Sequence, residues 1–237
     1  MIDFHSHILP GIDDGAKTLE QSIQIINEAK EVGFTKLIST SHYMENYYTF
    51  DEEKRKKLLE QVQQKVNGVT LYLGSEIYIT NNMINLLENK KASSINNTRY
   101  VLFEFPLTQT KMMNDKETIY RLIEKGYIPI IAHPERYPFI QDDPEYAFEL
   151  AEMGALFQAN YGSIIGAYGR KAKKTVKKLL ENDLISFMGS DVHRQGQIFA
   201  KFPQIMKKLN KLLTSEKIQE LTEINPQKVL NNEKIIR

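Results

Sequence analysis

The chain has 237 residues, with 31 basic and 30 acidic side chains and no cysteine. A formal charge of +1 gives no global reason to expect nucleic acid or an anionic membrane as a partner. Without cysteine there is no disulfide framework, thiolate nucleophile or thiolate zinc site, so any metal must be held by His, Asp and Glu, which points to Mn, Fe or Zn in a catalytic centre.

No run of 18 apolar residues exists, so no membrane insertion is expected. Asp3, His5 and His7 interrupt the only apolar start, so no secretory signal is expected and the location reads as cytoplasmic. The length and the absence of a Pro/Ser-rich linker fit a single domain over residues 1–237.

Residues 2–4 read as a short strand, since Ile2 and Phe4 alternate with polar neighbours. His5 and His7 follow, and on an extended backbone side chains at i and i+2 point the same way. Two imidazoles aimed at one point make a metal chelate, although the pair alone also suits a polar strand end. After the turn-rich stretch 10–15, Thr18 caps a helix to about residue 31, with Gln21 at the capping-box position and Gly33 closing it. Residues 36–39 are the second strand and lead to His42. The segment 43–50 is an aromatic loop carrying Tyr43, Tyr47, Tyr48 and Phe50. A charged helix spans 51–66, a third strand 69–73 with Glu76 just past it, and a short helix 81–87.

The fourth strand, 100–103, runs directly into Glu104, and a helix over 116–125 is closed by Gly126. The fifth strand, 128–132, ends in His133-Pro134-Glu135-Arg136. A helix over 144–153 precedes the sixth strand, 156–159, which is followed by Asn160. A basic amphipathic helix covers 171–181, and the seventh strand, 185–188, opens onto Ser190-Asp191-Val192-His193-Arg194. Residues 202–237 read as helical, with a late break at Pro226.

Strand then helix, repeated seven times, is the pattern of parallel βα units. In an α/β barrel, functional residues gather at the carboxyl ends of the strands. Those ends here supply His5, His7, His42, Glu76, Glu104, His133, Asp191 and His193, which include all five histidines of the chain. Histidines without a shared task would scatter over helices and loops as well, so the cluster reads as a polynuclear metal site. Asp14, in the loop after the first strand, can also reach that rim, although Asp13-Asp14-Gly15 alone suits a plain turn. Arg136 sits three residues beyond His133, where a guanidinium would suit a phosphate oxyanion. The lysines of the basic helix read as a solvated face, and the aromatic loop suits either packing on the barrel or stacking on an aromatic substrate.

Taken together, H-S-H, D-D-G, H-P-E-R and S-D-x-H resemble the PHP (polymerase and histidinol phosphatase) superfamily. The run H-S-H-x-x-x-G-x-D-D-G with H-P-E-R resembles, within it, the CpsB/CapC-type tyrosine phosphatases of bacterial capsule and exopolysaccharide operons, over nearly the whole chain. The resemblance implies a distorted (β/α)7 TIM-like barrel with three metal ions, usually manganese. It groups His5, His7, Glu104 and Asp191 on one ion, His42 and His133 with bridging Glu104 on a second, and Asp14, Glu76 and His193 on a third. Arg136 matches the family's phosphate-binding arginine, and Asp191 and His193 are expected to share in catalysis. Two departures stand out: the usual T-P-H-H reads Thr40-Ser41-His42-Tyr43, and Arg194 follows D-x-H immediately rather than several residues on.

The implied activity is metal-dependent hydrolysis of phosphotyrosine. The implied partner is the phosphotyrosine-bearing tail of an autophosphorylating bacterial tyrosine kinase that controls capsule synthesis. Two other readings share these residues: a small-molecule phosphatase of the histidinol-phosphatase type, and a non-catalytic module that binds the kinase.

Overall fold

The alternation of short apolar runs with amphipathic helices produces a ring of parallel strands. The computed structural model describes residues 1–108, 111 and 114–235. Among these, the strands in chain order are β1 (Ile2–Ser6), β2 (Lys36–Ser39), β3 (His42–Tyr43), β4 (Thr70–Leu73), β5 (Glu76–Tyr78), β6 (Tyr100–Glu104), β7 (Ile128–Ala132), β8 (Leu156–Asn160) and β9 (Phe187–Gly189). One sheet has the order β1-β2-β4 and the other β3-β5-β6-β7-β8-β9, all paired in parallel.

β3 continues the line of β2 after Thr40-Ser41, and β5 continues β4 after Gly74-Ser75, so nine strands fill seven positions. Backbone bonds cross both breaks: Thr40 N donates to Ser6 O, Gly74 N to Ser39 O and Glu76 N to Thr40 O. The last position closes on the first through a Ser6–Val192 bridge, with His7 N donating to Val192 O at 3.1 Å. The result is a distorted (β/α)7 barrel, and the distortion lies in the two broken strands.

Around the strands run α1 (Leu19–Glu31), α2 (Glu52–Gln63), α3 (Met83–Glu88), α4 (Asp115–Glu124), α5 (Pro138–Asp142), α6 (Glu145–Glu152), α7 (Tyr161–Ile165) and α8 (Gly169–Glu181). Thr18 Oγ1 accepts from Gln21 N, as the cap requires, but the Gln21 side chain accepts from Lys17 N rather than from Thr18. Helices α5 and α7 have five residues each, too few for the sequence to show a helical period.

The carboxyl segment forms α9 (Phe202–Leu212), α10 (Ser215–Gln219), a π-helical turn over Glu220–Ile224 and α11 (Asn225–Leu230). Pro226 does not break it: the helical turns run on without interruption from Ser215 to Leu230, with the π-helical turn directly before the proline's own helix. The break falls earlier, at the extended Leu213. The end of the expected helical segment, residues 236–237, lies outside the described residues.

Alternate side chains of the strands serve two cores. Phe4, Ile38, Leu102, Ile130, Leu156 and Phe187 fill the barrel interior, where Phe4 stacks on Phe187 with ring centroids 4.1 Å apart. Val229 and Leu230 of α11 join this cluster. Leu37, Val101, Phe103, Ile131 and Phe157 point the other way, into the larger core under the helices.

Candidate metal centre

Followed toward the carboxyl rim, the interior columns of the strands change from apolar to polar. On β8 the column reads Leu156, Gln158, Asn160; on β6 it reads Tyr100, Leu102, Glu104; on β9 it reads Phe187, Gly189 and then Asp191. Ile38 leads two by two to His42, and Tyr72 to Glu76. Strand alternation alone therefore delivers these side chains to one place.

His5, His7 and His133 are out of phase with their strands. Phe4 is interior, so a regular strand would turn His5 outward; the β1–β2 ladder shifts register between Asp3 and Ser6, and both histidines face in. His133 follows interior Ala132 and reaches the centre through a left-handed backbone, with φ of 33°. Asp191 is also left-handed, with φ of 52°, and such strained positions concentrate at functional sites. Gly189 makes room for this arrangement, since a Cβ there would lie 2.6 Å from His5 Cβ and 2.7 Å from Gln158 Nε2.

The geometry defines a hole for a cation. His5 Nε2 lies 3.0 Å from His7 Nε2 and 3.0 Å from Glu76 Oε2, and Asp191 Oδ1 stands 3.6 Å and 3.5 Å from the two nitrogens. Which nitrogens carry protons follows from the outer contacts. The Asp191 carboxylate only accepts, so Asn160 Nδ2 donates to its Oδ2 at 2.7 Å. Asn160 Oδ1 then accepts from Gln158 Nε2 at 3.0 Å, and Gln158 Oε1 accepts from His5 Nδ1–H at 2.7 Å. His7 Nδ1–H likewise donates to Asp13 Oδ2 at 2.8 Å. With each Nδ1–H committed outward, both Nε2 atoms face each other and two carboxylates. One proton can serve only one such pair, whereas a divalent ion suits the whole set, so these residues fit a bound metal.

All nine expected ligands, His5, His7, Asp14, His42, Glu76, Glu104, His133, Asp191 and His193, meet on this rim. Three sets lie within ligand reach of one point: His5, His7 and Glu76; His42, Glu76 and Glu104; and His7, Asp14, His42 and His193. This arrangement differs from the grouping that the resemblance implied. Glu76, fully buried at the head of β5, stands between the His5/His7 pair and His42, whose Nδ1 is 3.1 Å from its Oε2. It also holds His133, whose Nε2 is 2.8 Å from Oε1. Glu104 sits at the edge, 3.0 Å from His42 Nδ1 and 3.8 Å from His133 Nε2. The reason is the strand break after Gly74, which sets Glu76 beside His42 in the β3–β5 ladder.

Arg136 lies beside the cluster. Its Nη1 donates to Asp191 Oδ2 at 2.8 Å, and its guanidinium lies 4.6 Å from the centroid of the Tyr168 ring. Arg194 has a different role: its Nη1 donates to the backbone carbonyls of Asp14, Gly15 and His193 and ties the two ligand-bearing loops together. The aromatic loop divides between its two readings. Tyr43 is buried edge-on to Phe50, while Tyr48 stacks on His42 at 5.8 Å and Tyr47 stands 78% exposed on the rim.

Reasoning from sequence missed the supporting groups Asp3, Asp13, Glu135, Gln158, Asn160 and Tyr168. Asp3 accepts from Ser190 N at 2.7 Å and Ser190 Oγ at 2.5 Å, which fixes β1 to the loop that carries Asp191. Glu135 Oε1 accepts from Ser163 Oγ at 2.6 Å and Asn160 N at 2.9 Å. Gln158 and Asn160 were findable, because polar residues two apart that continue an interior apolar phase mark the column's polar end. Tyr168, in a loop, carries no such signal.

Without metal, protons must occupy the hole. Burial by itself lowers the histidines, but Glu76 and Asp191 outweigh it at His5, and Asp13 does so more strongly at His7. His42 is pushed up to about 9, with Glu76 and Glu104 overriding burial. Burial favours the neutral form of Glu76 and Asp191, yet the surrounding histidines hold both carboxyls well below their usual range.

A parallel barrel with a histidine–carboxylate cluster on its carboxyl rim defines the class of metal-dependent barrel hydrolases. The chain belongs to the CpsB/CapC family, described as capsular polysaccharide synthesis, whose sequence model matches residues 1–231. It is 36% identical over 197 residues to CapC of Staphylococcus aureus, covering 81% of this chain and 77% of that protein. It is 33% identical over 241 residues to the tyrosine-protein phosphatase YwqE of Bacillus subtilis (strain 168), covering 100% and 94%. A solved chain from the crystal structures of YwqE from Bacillus subtilis and CpsB from Streptococcus pneumoniae, described as metal-dependent tyrosine phosphatases, superposes with a TM-score of 0.89. The identity there is 31%, over 100% of this chain and 97% of that one.

Proposed function

We propose that this chain is a metal-dependent protein-tyrosine phosphatase that holds three divalent ions, manganese in the cell. Its substrate would be the phosphotyrosine-bearing tail of a bacterial tyrosine kinase in capsule synthesis, and its place the cytoplasm. The single observation that carries the reading is the pair of inward Nε2 atoms on His5 and His7, 3.0 Å apart against Glu76 and Asp191. Family membership, the three ligand sets and the named activities of the relatives support it. No described helix is long and apolar enough to cross a membrane.

The nine rim residues would hold the ions, which when bound supply an activated water for in-line attack on phosphorus and neutralise phosphoryl charge. Asp191 divides its two oxygens between tasks. Oδ1 faces the histidines and Oδ2 holds Arg136, so the arginine is placed relative to the ligand cluster. The remaining donors of the Arg136 fork suit phosphoryl oxygens, and stacking on Tyr168 keeps the fork planar to them. His193 is set by its own backbone, with Nδ1–H donating to Asp191 O at 2.9 Å and Nε2 left toward Asp14, 3.3 Å away. Tyr47 and Tyr48 offer aromatic surface to a phenyl ring at the rim. A phenolate, with a pKa of about 10, departs without a strong general acid.

The test measures turnover of a phosphotyrosine peptide and of histidinol phosphate side by side, with manganese and then with chelator. Metal-dependent turnover of the peptide is expected. Preference for histidinol phosphate would replace the substrate reading, and binding of peptide without turnover would leave a regulatory module.

A further inference from the structure

The basic helix α8 is not uniformly solvated. On the flank toward α5 and α6 its cations are neutralised, with Lys171 2.8 Å from Asp142 Oδ1 and Lys178 3.0 Å from Glu145 Oε1. On the other flank, toward α9, a groove of about 450 Å³ runs between the two helices. Its floor is apolar, made by Ile164, Val176 and Leu212. Its walls carry Arg170, Lys173, Lys174 and Lys177 from α8 and Lys208 and Lys211 from α9, and no acidic residue lines it. Only Lys177 has a carboxylate partner among the described residues, Glu181 at 3.5 Å. Five cations without a carboxylate partner in one groove, on a chain whose net charge is +1, concentrate positive charge locally. Helix α8 links the groove to the candidate site, since Arg170 of its lining lies two residues beyond Tyr168, the residue on which Arg136 stacks.

We propose that the groove between α8 and α9 docks an acidic peptide segment of the phosphoprotein substrate, flanking the phosphotyrosine that enters the metal centre. The proposal rests on the phosphatase reading and names a substrate class for it: phosphotyrosine in an acidic context. Charge complementarity selects the occupant. Carboxylates meet the unpaired cations, and the apolar floor takes an intervening apolar side chain. A concave groove suits an extended segment, whereas a flat bilayer would require a convex basic face.

The test separates docking from chemistry. The full chain and the Lys173→Glu/Lys208→Glu variant are compared on three substrates: p-nitrophenyl phosphate, a phosphotyrosine peptide with flanking glutamates, and the same peptide with serines. Exposed ion pairs contribute up to about 1 kcal/mol each, or about fivefold, so the acidic peptide should show a KM lower by about tenfold than the serine peptide. The variant should lose that preference and keep p-nitrophenyl phosphate turnover, and raised salt should erase the preference in the parent chain. Equal KM values, or a preference that survives charge reversal, overturn the proposal. Binding of a labelled acidic peptide without phosphotyrosine, followed by fluorescence anisotropy, reads the groove even if no substrate is turned over. Loss of turnover with variant-sensitive peptide binding would overturn the phosphatase reading and not the groove. Variant-sensitive binding to phosphatidylserine vesicles without binding to the peptide would overturn the groove's assignment to a peptide.

Discussion

The two ends of the barrel interior are built on the same strands by opposite means. The amino end is apolar: Phe4, Phe187, Leu102, Ile130 and Leu156 pack in phase with regular alternation, and Val229 and Leu230 join them. The carboxyl end is polar and buried, and it relies on a register shift in β1 and left-handed backbones at His133 and Asp191. The difference separates stability from function. Apolar burial stabilises whatever its detailed pairing, at roughly 25 cal/mol per Å². The polar end gains little from burial and works only when every donor faces the right acceptor. Substitutions at the carboxyl end should therefore change metal binding and turnover, and those at the amino end should change stability.

The largest effect is expected at Arg136. At saturating Mn²⁺, Arg136→Ala should keep its metal and lower turnover of a phosphotyrosine peptide by about 10²–10³, the usual cost of removing a charge-stabilising contact in a transition state. Arg136→Lys should recover only part, because an ammonium cannot make the bidentate contact. His133→Ala should differ by lowering metal occupancy as well, measured by elemental analysis. Near-normal turnover of Arg136→Ala would return the arginine to the role of a partner for Asp191.

A smaller effect, confined to the ligands, is expected at Gln158. Gln158→Leu breaks the relay that runs from Asp191 through Asn160 to His5 Nδ1. Loss of such outer contacts typically costs about 10–100-fold in metal affinity. Calorimetric titration with Mn²⁺ reads this directly, and the double variant with Asn160→Ala should be no worse than the more damaging single change if the relay acts as one unit. Full additivity would show that the two amides act separately.

Much of this division was legible in the residues. Five histidines after strand-like runs located the rim, and alternation places His42, Glu76, Glu104 and Asp191 together. The phase slips were not legible. Nothing in Ile2-Asp3-Phe4-His5 shows that the ladder will shift, and nothing before Pro134 shows that His133 will turn left-handed. These are tertiary outcomes, held in place by contacts such as Asp3 with Ser190 and Gly189 against His5. The broken second and third strands were hidden for a similar reason, because β3 and β5 have two and three residues and no readable period.

The pH response should separate the metal-free from the loaded chain. His42 is raised from its ordinary 6.5 to about 9, so its contribution to metal-free stability is fully present below about 6.5 and is lost as pH rises through about 9. Glu76 and Asp191 are held low, so theirs is present at neutral pH and is lost only in acid. Metal must displace the histidine protons, so apparent Mn²⁺ affinity should climb between pH 6.5 and 9 while the Tm of the metal-free chain falls. Parallel Tm and affinity profiles would contradict the idea that protons fill the hole in the absence of metal.

The smallest effect on the site is expected at the apolar end. Phe187 is fully buried and stacks on Phe4, only two residues along β9 from Gly189 and four from Asp191. Phe187→Leu keeps the position apolar and removes the stacked ring, so it should destabilise the chain by about 1–2 kcal/mol, between a volume-conserving swap and a full truncation. That loss should appear in chemical denaturation of metal-free protein. If the two ends are energetically separate, Mn²⁺ affinity should stay within about twofold, since sites without shared partners couple by no more than about 0.5 kcal/mol. A larger fall in affinity would mean that the ring pair sets the height of Gly189 and, through it, of His5, and the apolar end would then be part of the metal centre's support.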